Sequence, residues 1–169
     1  MSADFYLGNP NLKKVGTEIN FTKNQIQEYL KCKDDPVYFA RNYIKIISLD
    51  EGIVPFKMWD FQEELIESFH ENRFNIAKLP RQTGKSTTCV SYLLHYILFN
   101  DNVNVGILAN KLSTARDLLG RLQLAYEQLP LWIQQGIVVY NKGSMELENG
   151  SKILAASTSA SAVRGMSFN

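Results

Sequence analysis

The stretch from Asn75 to Thr88, NIAKLPRQTGKSTT, constrains the fold of this chain more than any other part of the sequence. It joins a short apolar run to a loop ending in Gly-Lys-Ser, and then to an apolar helical pattern from Ser86 to Phe99. A loop of this kind, between a strand and a helix, wraps a phosphate with main-chain N–H groups and places the positive end of the helix dipole beside it. The pattern therefore predicts an α/β protein with a phosphate-binding loop.

The loop departs from the common pattern G-x-x-x-x-G-K-[ST] at its first glycine. That slot holds Leu79, and Pro80 follows it. The glycine helps the chain to turn out of the strand, and a proline fixes a turn by another route. We therefore expect the loop to bind a phosphate without the first glycine. The competing interpretation is a plain strand–turn–helix with Lys85 on the surface.

The other loop residues have the chemistry that a nucleoside triphosphate and Mg²⁺ require. Gly84 lets the main chain approach an anion, Lys85 brings a positive charge to the β- and γ-phosphates, and Ser86 offers a hydroxyl to Mg²⁺. Arg81 has two interpretations. Its guanidinium either stabilises charge on the γ-phosphate during transfer or pairs with a surface carboxylate. The chemistry alone favours neither.

Hydrophobic periodicity and capping signals divide the chain into three predicted parts. Residues 1–20 lack any period and are expected to form a flexible arm. Residues 21–74 predict a helical subdomain, because capping signals at Thr22, Asp35 and Asp60 each precede a helical pattern. Residues 75–169 predict the sheet and its covering helices. The predicted helices are 23–31, 36–44, 61–70, 86–99 and 114–129, and the predicted strands are 75–79, 103–109, 136–140 and a hairpin over 144–157 that turns at Asn149-Gly150.

Composition narrows the class of protein. The 169 residues are 45% hydrophobic and 21% charged with a net charge of +1, which is ordinary for a globular domain. Cys32 and Cys89 show no spacing typical of a disulfide framework or a zinc site, which indicates a reducing compartment. No apolar run approaches the ~20 residues of a membrane helix, and the N-terminus lacks a signal-peptide pattern. We therefore expect a soluble cytoplasmic protein.

Several segments resemble, in order, the N-terminal ATPase region of the large terminase subunit, the DNA-packaging motor of contractile-tailed bacteriophages. The resemblance covers essentially the whole chain and implies a P-loop NTPase of the RecA/helicase-like motor class. In such proteins the strand after the phosphate loop is not its neighbour in the sheet, so the resemblance also implies an incomplete central sheet here. The segments are NPNLK, DPVYFARNYIKI, DEGIVPFKMWDFQ, PRQTGKST, VGILANK, GIVVYNKGSMELENGS and AVRGMSF.

The resemblance implies roles for matched residues. The WDFQ segment, Trp59 to Gln62, is similar to the family's adenine-binding element, so Phe61 is expected to stack on adenine and Gln62 to pair with its N6/N7 edge. Arg81 matches an arginine finger acting in cis, which makes Arg81 and Lys85 the expected catalytic residues and Ser86 the metal ligand. Arg164 matches a recurring arginine with no assigned role, and a surface loop arginine is the alternative. The implied nucleotide-binding residues are Phe61, Gln62, Pro80, Arg81, Gln82, Thr83, Gly84, Lys85, Ser86 and Thr87.

The resemblance also implies ligands and partners. ATP and Mg²⁺ are the expected cofactors. Double-stranded DNA, gripped through its phosphates without sequence preference, is the expected polymer. The portal protein and the small terminase subunit are the expected protein partners of a homo-oligomeric ring. The implied location is the host cytoplasm, with transient attachment to the procapsid portal and no membrane association.

A motor ATPase needs a second acidic motif, an apolar strand ending in Asp-Glu. In the family that strand follows the VRG-x-SF segment, and this sequence has no Asp-Glu pair after Lys85. Asp50-Glu51 follows apolar residues but precedes the loop, so we interpret it as a strand followed by a turn. Losing a general base typically costs about 10²–10⁴ in rate. We therefore predict no efficient ATP hydrolysis and no nuclease centre, and we interpret the chain as a truncated product or one piece of a split protein.

Two alternatives belong to other classes. A non-catalytic nucleotide-binding or interaction module would keep the phosphate loop and lack the acidic motif. A helicase-like translocase fragment would also carry a glutamine motif ahead of the loop. The sequence on its own leaves both alternatives open.

Overall fold

The computed structural model describes residues 5–48, 50–158 and 168, which form a mixed α/β structure. A four-stranded mixed sheet and a separate two-stranded hairpin are combined with five helices in these residues. None of the described helices has the length and hydropathy that crossing a membrane demands. The helices are α1 (Lys23–Asp34), α2 (Pro36–Tyr43), α3 (Asp60–Glu71), α4 (Lys85–Phe99) and α5 (Leu112–Glu127), and the strands are β1 (Lys45–Ser48), β2 (Gly52–Pro55), β3 (Asn104–Ala109), β4 (Ile137–Tyr140), β5 (Ser144–Leu147) and β6 (Lys152–Ser157).

The four-stranded sheet has the order β3-β6-β5-β4. Strands β3 and β6 are parallel, from Asn104 opposite Lys152 to Ala109 opposite Ser157, whereas β6, β5 and β4 are antiparallel. The predicted turn at Asn149-Gly150 is confirmed, and Gly150 has the positive φ of 80° that such a turn requires. Helix α5 packs on β3 and β6 through its buried face, which includes Leu119, Leu122 and Tyr126.

The helices before the loop pack on α4, the most deeply buried helix. Thr22 and Gln25 form the predicted capping box of α1, and the Asp35 carboxylate accepts from the Tyr38 N–H at the start of α2. Helices α2 and α3 both pack against α4. An aromatic cluster joins these layers, because the rings of Phe39 and Phe99 meet edge to face. The division into an arm, a helical subdomain and a core stays a prediction.

Two predicted helix caps are wrong, and their helices begin one or two residues early. Trp59, and not Asp60, caps α3, because the Gln62 side chain reaches back to the Trp59 N–H. Helix α5 begins at Leu112 with Lys111 as its cap, ahead of the Thr114 signal. The Thr114 N–H instead donates to the Lys111 carbonyl inside the first turn. In both cases a main-chain or neighbouring side-chain partner replaces the capping side chain that the sequence suggested.

The predicted strand over residues 75–79 does not form. The segment has no regular secondary structure, and its main chain pairs with no described residue. The Ile76 side chain is fully exposed, at 101%. A strand needs a neighbouring strand for its main-chain N–H and C=O groups. Within the described residues no strand lies beside this segment, so its short apolar run has no sheet to join.

Part of the segment predicted to be a flexible arm contacts the sheet. Lys14 pairs with Ile137 in a parallel bridge, and the Ile137 N–H donates to the Lys13 carbonyl at 2.8 Å. Leu12 is buried in the core. The arm therefore pairs with the first residue of β4 at the outer edge of the sheet, and the flexibility of residues 1–20 as a whole stays a prediction.

One carboxylate, Glu148, fastens this arm. It accepts from the Gly136 N–H (2.6 Å), the Gly16 N–H (3.1 Å) and the Lys13 ammonium (3.2 Å). A Cβ on Gly136 would lie 2.6 Å from a Glu148 oxygen, so only glycine allows this approach. Partial burial opposes ionisation of Glu148, but these donors outweigh it and hold its pKa below the ordinary value.

We expect Glu148→Gln to lower the free energy of unfolding by about 2 kcal/mol, because the amide cannot accept from all three donors. The stabilisation is present above the ordinary glutamate pKa and is lost as the pH falls through the lowered folded-state pKa. Urea unfolding at pH 7 measures the change. Glu146→Gln is the matched control, because its partner Lys152 is half exposed and the pair should contribute under about 1 kcal/mol. Equal effects of the two changes would contradict the role of Glu148.

Candidate functional site

The loop from Pro80 to Gly84 connects the unpaired segment to the first residue of α4. Gly84 caps the helix with φ of 71°, and Gln82 has φ of 63°. A left-handed conformation is uncommon for glutamine, and such residues concentrate at functional sites. Leu79 has no positive φ, so the absent first glycine leaves no strain at its slot. The departure from the common pattern is therefore structurally tolerated.

Polar side chains of the loop converge on the Pro80 carbonyl. Lys85 Nζ donates to it at 3.0 Å and Thr83 Oγ1 at 3.1 Å. A lysine ammonium has three donors, so two of them are left for an anion. Ser86 and Thr87 make no side-chain hydrogen bond to any other residue that the structure describes, and both side chains are half-buried.

Gln62 connects the start of α3 to this loop. Its Oε1 accepts from the Trp59 N–H at 3.0 Å, and its Nε2 donates to the Thr83 carbonyl at 3.1 Å. The side chain is 3% exposed, so Gln62 is buried at the start of α3. A Cβ at Gly84 would lie 2.5 Å from Gln62 Nε2. Gly84 therefore makes room for the Gln62 side chain.

The structure brings the WDFQ residues next to the loop. Trp59 is 60% exposed, and its ring centroid lies 5.6 Å from that of the half-buried Phe61. These residues stand on either side of Gln62 in the sequence, and the Gln62 amide has two partners. The adenine contacts of Phe61 and Gln62 stay predictions. Trp59 is an additional exposed ring beside the predicted adenine-binding residues.

Arg81 is exposed, and its guanidinium pairs with none of the described carboxylates. The surface ion pair that competed with a role at the γ-phosphate is therefore not found in the described residues. The catalytic role of Arg81 stays a prediction. Arg164, the other arginine singled out in the sequence, lies outside the described residues.

Most of the acidic side chains after Lys85 bind other groups of the protein. Glu127 accepts from the Tyr140 hydroxyl, Glu146 pairs with Lys152, and Glu148 fastens the arm. No group of three or more His, Cys, Asp or Glu side chains in the described ranges could hold a metal. Ser86 stays the loop hydroxyl predicted to reach Mg²⁺. The described residues include no acidic cluster that would complete a metal site with it.

The Asp50-Glu51 pair lies in the turn between β1 and β2. The Ser48 hydroxyl accepts from the N–H groups of both residues, at 3.4 and 3.3 Å. Both side chains are exposed. The interpretation of this pair as the end of a strand followed by a turn is therefore confirmed.

We expect Gln62→Glu to loosen the loop without unfolding α3. The carboxylate still accepts from the Trp59 N–H but cannot donate to the Thr83 carbonyl, and the two oxygens repel. Amide hydrogen exchange at residues 83–86 should accelerate by about tenfold, the equivalent of ~1.4 kcal/mol. Glu64→Gln, at an exposed position two residues on, is the control. Unchanged exchange in the Gln62→Glu protein would show that the loop keeps its shape independently.

A search against models of known protein families found none that matches this chain. The groups of the loop are nevertheless of the kinds that bind a phosphate. A helix N-terminus, a lysine with spare donors and two free hydroxyls can bind a phosphate with its metal. The rings of Trp59 and Phe61 can hold a planar group.

Proposed function

We propose that the chain is the ATP-binding portion of a viral DNA-packaging motor of the large-terminase type, with a P-loop ATPase fold. The observation that carries the proposal is the Gln62 bridge between Trp59 and Thr83. It joins an aromatic surface for a base to a loop for phosphates, and a nucleotide needs both within one site. The sequence resemblance over the whole chain supports the same assignment.

In this proposal each loop residue acts on the triphosphate. Main-chain N–H groups of residues 82–86 bind phosphate oxygens, and Lys85 neutralises charge on the β- and γ-phosphates. Ser86 would hold Mg²⁺, which would withdraw charge from the phosphate oxygens. Arg81 stabilises charge at the γ-phosphate. Trp59 and Phe61 hold adenine, and the remaining N–H of Gln62 recognises its edge.

The same site is proposed to bind ATP without hydrolysing it efficiently. Of the acids after Lys85, Glu127, Glu146 and Glu148 are bound to other groups, and Asp101 and Asp117 are exposed. This observation also favours the second candidate function, a non-catalytic nucleotide-binding or interaction module. A helicase-like translocase fragment has no comparable support.

The partners in this proposal come from the resemblance. They are double-stranded DNA, the portal protein and the small terminase subunit, acting on a homo-oligomeric ring in the host cytoplasm. The described surface offers no observation that selects among them.

Equilibrium binding of a fluorescent ATP analogue tests the proposal. We expect saturable binding that requires Mg²⁺ and that ATP displaces at least tenfold better than CTP or inorganic triphosphate, because only ATP fills the aromatic site as well. Phosphate release should stay at least about 10²-fold below that of a competent motor. Absence of binding, or equal displacement by inorganic triphosphate, contradicts the nucleotide assignment. Rapid ATP turnover that depends on Lys85 contradicts only the proposed lack of hydrolysis, and not the nucleotide assignment.

A further inference from the structure

A cavity of about 300 Å³ lies between strand β1, helix α4 and helix α5. This volume is at the lower end of the range for small-ligand sites, about 300–1,000 Å³. Of the residues implied to bind a nucleotide, Thr87 alone lines the cavity within the described structure. The cavity is therefore largely separate from the candidate nucleotide site.

The inner surface of the cavity is mostly apolar. Helix α4 contributes Val90, and helix α5 contributes Leu124 and Ala125. Strand β1 adds the side chains of Ile44 and Ile46. Three of these residues are buried and the other two are half-buried. Hydrocarbon groups of a ligand are stabilised when they leave water for such a surface.

Two cationic side chains also line the cavity, Lys45 from β1 and Arg121 from α5. Both are exposed, and neither pairs with a described carboxylate, although Asp117 precedes Arg121 by one helix turn. No acidic side chain is among the described residues that line the cavity. Guanidinium and ammonium groups form their strongest hydrogen bonds with carboxylates and phosphates. The cavity therefore favours an anionic group beside its apolar surface.

Strand β1 borders the cavity with its open edge. Four consecutive residues, 44–47, line the cavity, whereas one face of a strand presents only alternate residues. In the described structure β2 is the only neighbour of β1, and on that side the Phe56 N–H donates to the Ile44 carbonyl at 2.9 Å. Main-chain groups of an antiparallel strand alternate between its two edges. The N–H groups of Lys45 and Ile47 therefore face the cavity as further donors.

We propose that this cavity binds a small amphipathic anion, which has a carboxylate or phosphate head and a compact hydrocarbon body. The head lies between Lys45 and Arg121, and the body fills the apolar space between α4 and α5. An inorganic anion would leave the apolar surface in water, and a neutral hydrocarbon would leave both cations unpaired. The small volume favours such a ligand over a polypeptide segment. The inference is independent of the proposed nucleotide binding.

Calorimetric titration with octanoate tests the proposal. We expect saturable one-to-one binding at concentrations below micelle formation. Octanol lacks the charge and acetate lacks the hydrocarbon body, so each should bind at least tenfold more weakly. Comparison with octyl phosphate distinguishes the two heads, and binding of either one supports the site. Raising the salt concentration from ~50 mM to ~500 mM should weaken octanoate binding several-fold, because salt screens exposed charges.

Substitutions of the two cations localise the binding. Lys45→Gln combined with Arg121→Gln should weaken octanoate binding at least tenfold at an unchanged melting temperature, because both side chains are exposed and unpaired in the described structure. Lys111→Gln combined with Arg116→Gln removes the same charge from exposed positions that do not line the cavity, and should change the affinity less than twofold. Octanoate should slow hydrogen exchange at the Lys45 and Ile47 amides of the unmodified chain.

Four results would overturn the proposal. Equal affinity for octanol would mean an apolar surface without an anion site. An equal loss of affinity in the control pair would mean attraction to net charge alone. Displacement of octanoate by Mg·ATP would place the octanoate in the nucleotide site. Tighter binding of a capped valine–glutamate–valine peptide than of octanoate would make the open edge of β1 a peptide site.

Discussion

Replacing Lys85 by alanine is expected to lower the affinity for Mg·ATP by about 30- to 150-fold. The variant lacks the Lys85 ammonium and its charge-assisted hydrogen bonds to phosphate oxygens. These bonds contribute about 2–3 kcal/mol to the binding free energy. The fold should not change, because the Lys85 side chain bonds only to the Pro80 carbonyl within the described residues. Titration of each protein with a fluorescent ATP analogue measures the ratio, and the melting temperature without nucleotide reports on folding.

Lys78→Ala is the matched control for this change. Lys78 is an exposed lysine in the segment just before the loop, so its removal alters the net charge equally. We expect less than a threefold effect, since exposed charges act weakly at a distance. If the two alanine variants lose the same affinity, binding depends on general charge and the phosphate role of Lys85 is wrong. Lys85→Arg should recover only part of the affinity, because the planar guanidinium replaces a point charge.

Acidification from pH 7 to pH 4 is expected to cost about 3 kcal/mol of stability through His95 alone. Burial lowers the pKa of His95 to about 4, and the ring is 2% exposed. Its Nε2 lies 2.9 Å from the Cys32 carbonyl, whereas Nδ1 has no partner in the described residues. A protonated ring would therefore bury an unpaired N–H beside His70, whose ring centroid is 6.3 Å away.

The direction of this change in stability with pH follows from proton uptake by the unfolded chain. Unfolded His95 titrates near its ordinary pKa of 6.5, while the folded ring stays neutral until about pH 4. The stabilisation is full above pH 6.5 and is lost progressively between 6.5 and 4. Urea unfolding at several pH values measures the slope. His95→Gln should flatten this part of the curve by about 2–3 kcal/mol.

His70→Gln is the control for the same measurement, because His70 is exposed and close to the same rings. Most of the slope should remain in this variant, because burial is the largest cause of the lowered pKa of His95 and the charge of His70 is a smaller one. A His95→Gln protein with an unchanged slope would mean that other groups carry the acid sensitivity.

The candidate site shows how much of the structure a local residue pattern predicts. The Gly-Lys-Ser ending and the apolar stripe after it predict the start and end of α4 almost to the residue, because helix periodicity and loop chemistry are local properties. The burial of Gln62 was not predictable in the same way. Its partner on the loop, Thr83, is 21 residues away, and only folding brings the two together.

The acidic residues after Lys85 show the same limit of prediction from sequence. The sequence reveals that no Asp-Glu pair follows Lys85, but not what the remaining acids do. Glu148 could have been a free surface carboxylate. In the structure it fastens the arm, 132 residues from Gly16 along the chain, with Gly136 leaving room for its side chain. Such a role depends on a close approach between distant segments, which no local pattern encodes.

The sequence by itself determined the order and type of most elements and the position of the Gly-Lys-Ser loop before α4. These depend on local propensity, periodicity and residue identity. Only the tertiary structure decided that Lys14 pairs with the start of β4 and that residues 75–79 stay unpaired within the described structure. The physical reason is that a strand is a pairwise structure. The apolar residues of NIAKL make a strand favourable, but the hydrogen bonds that define one come from a neighbour, and the described residues place none beside it.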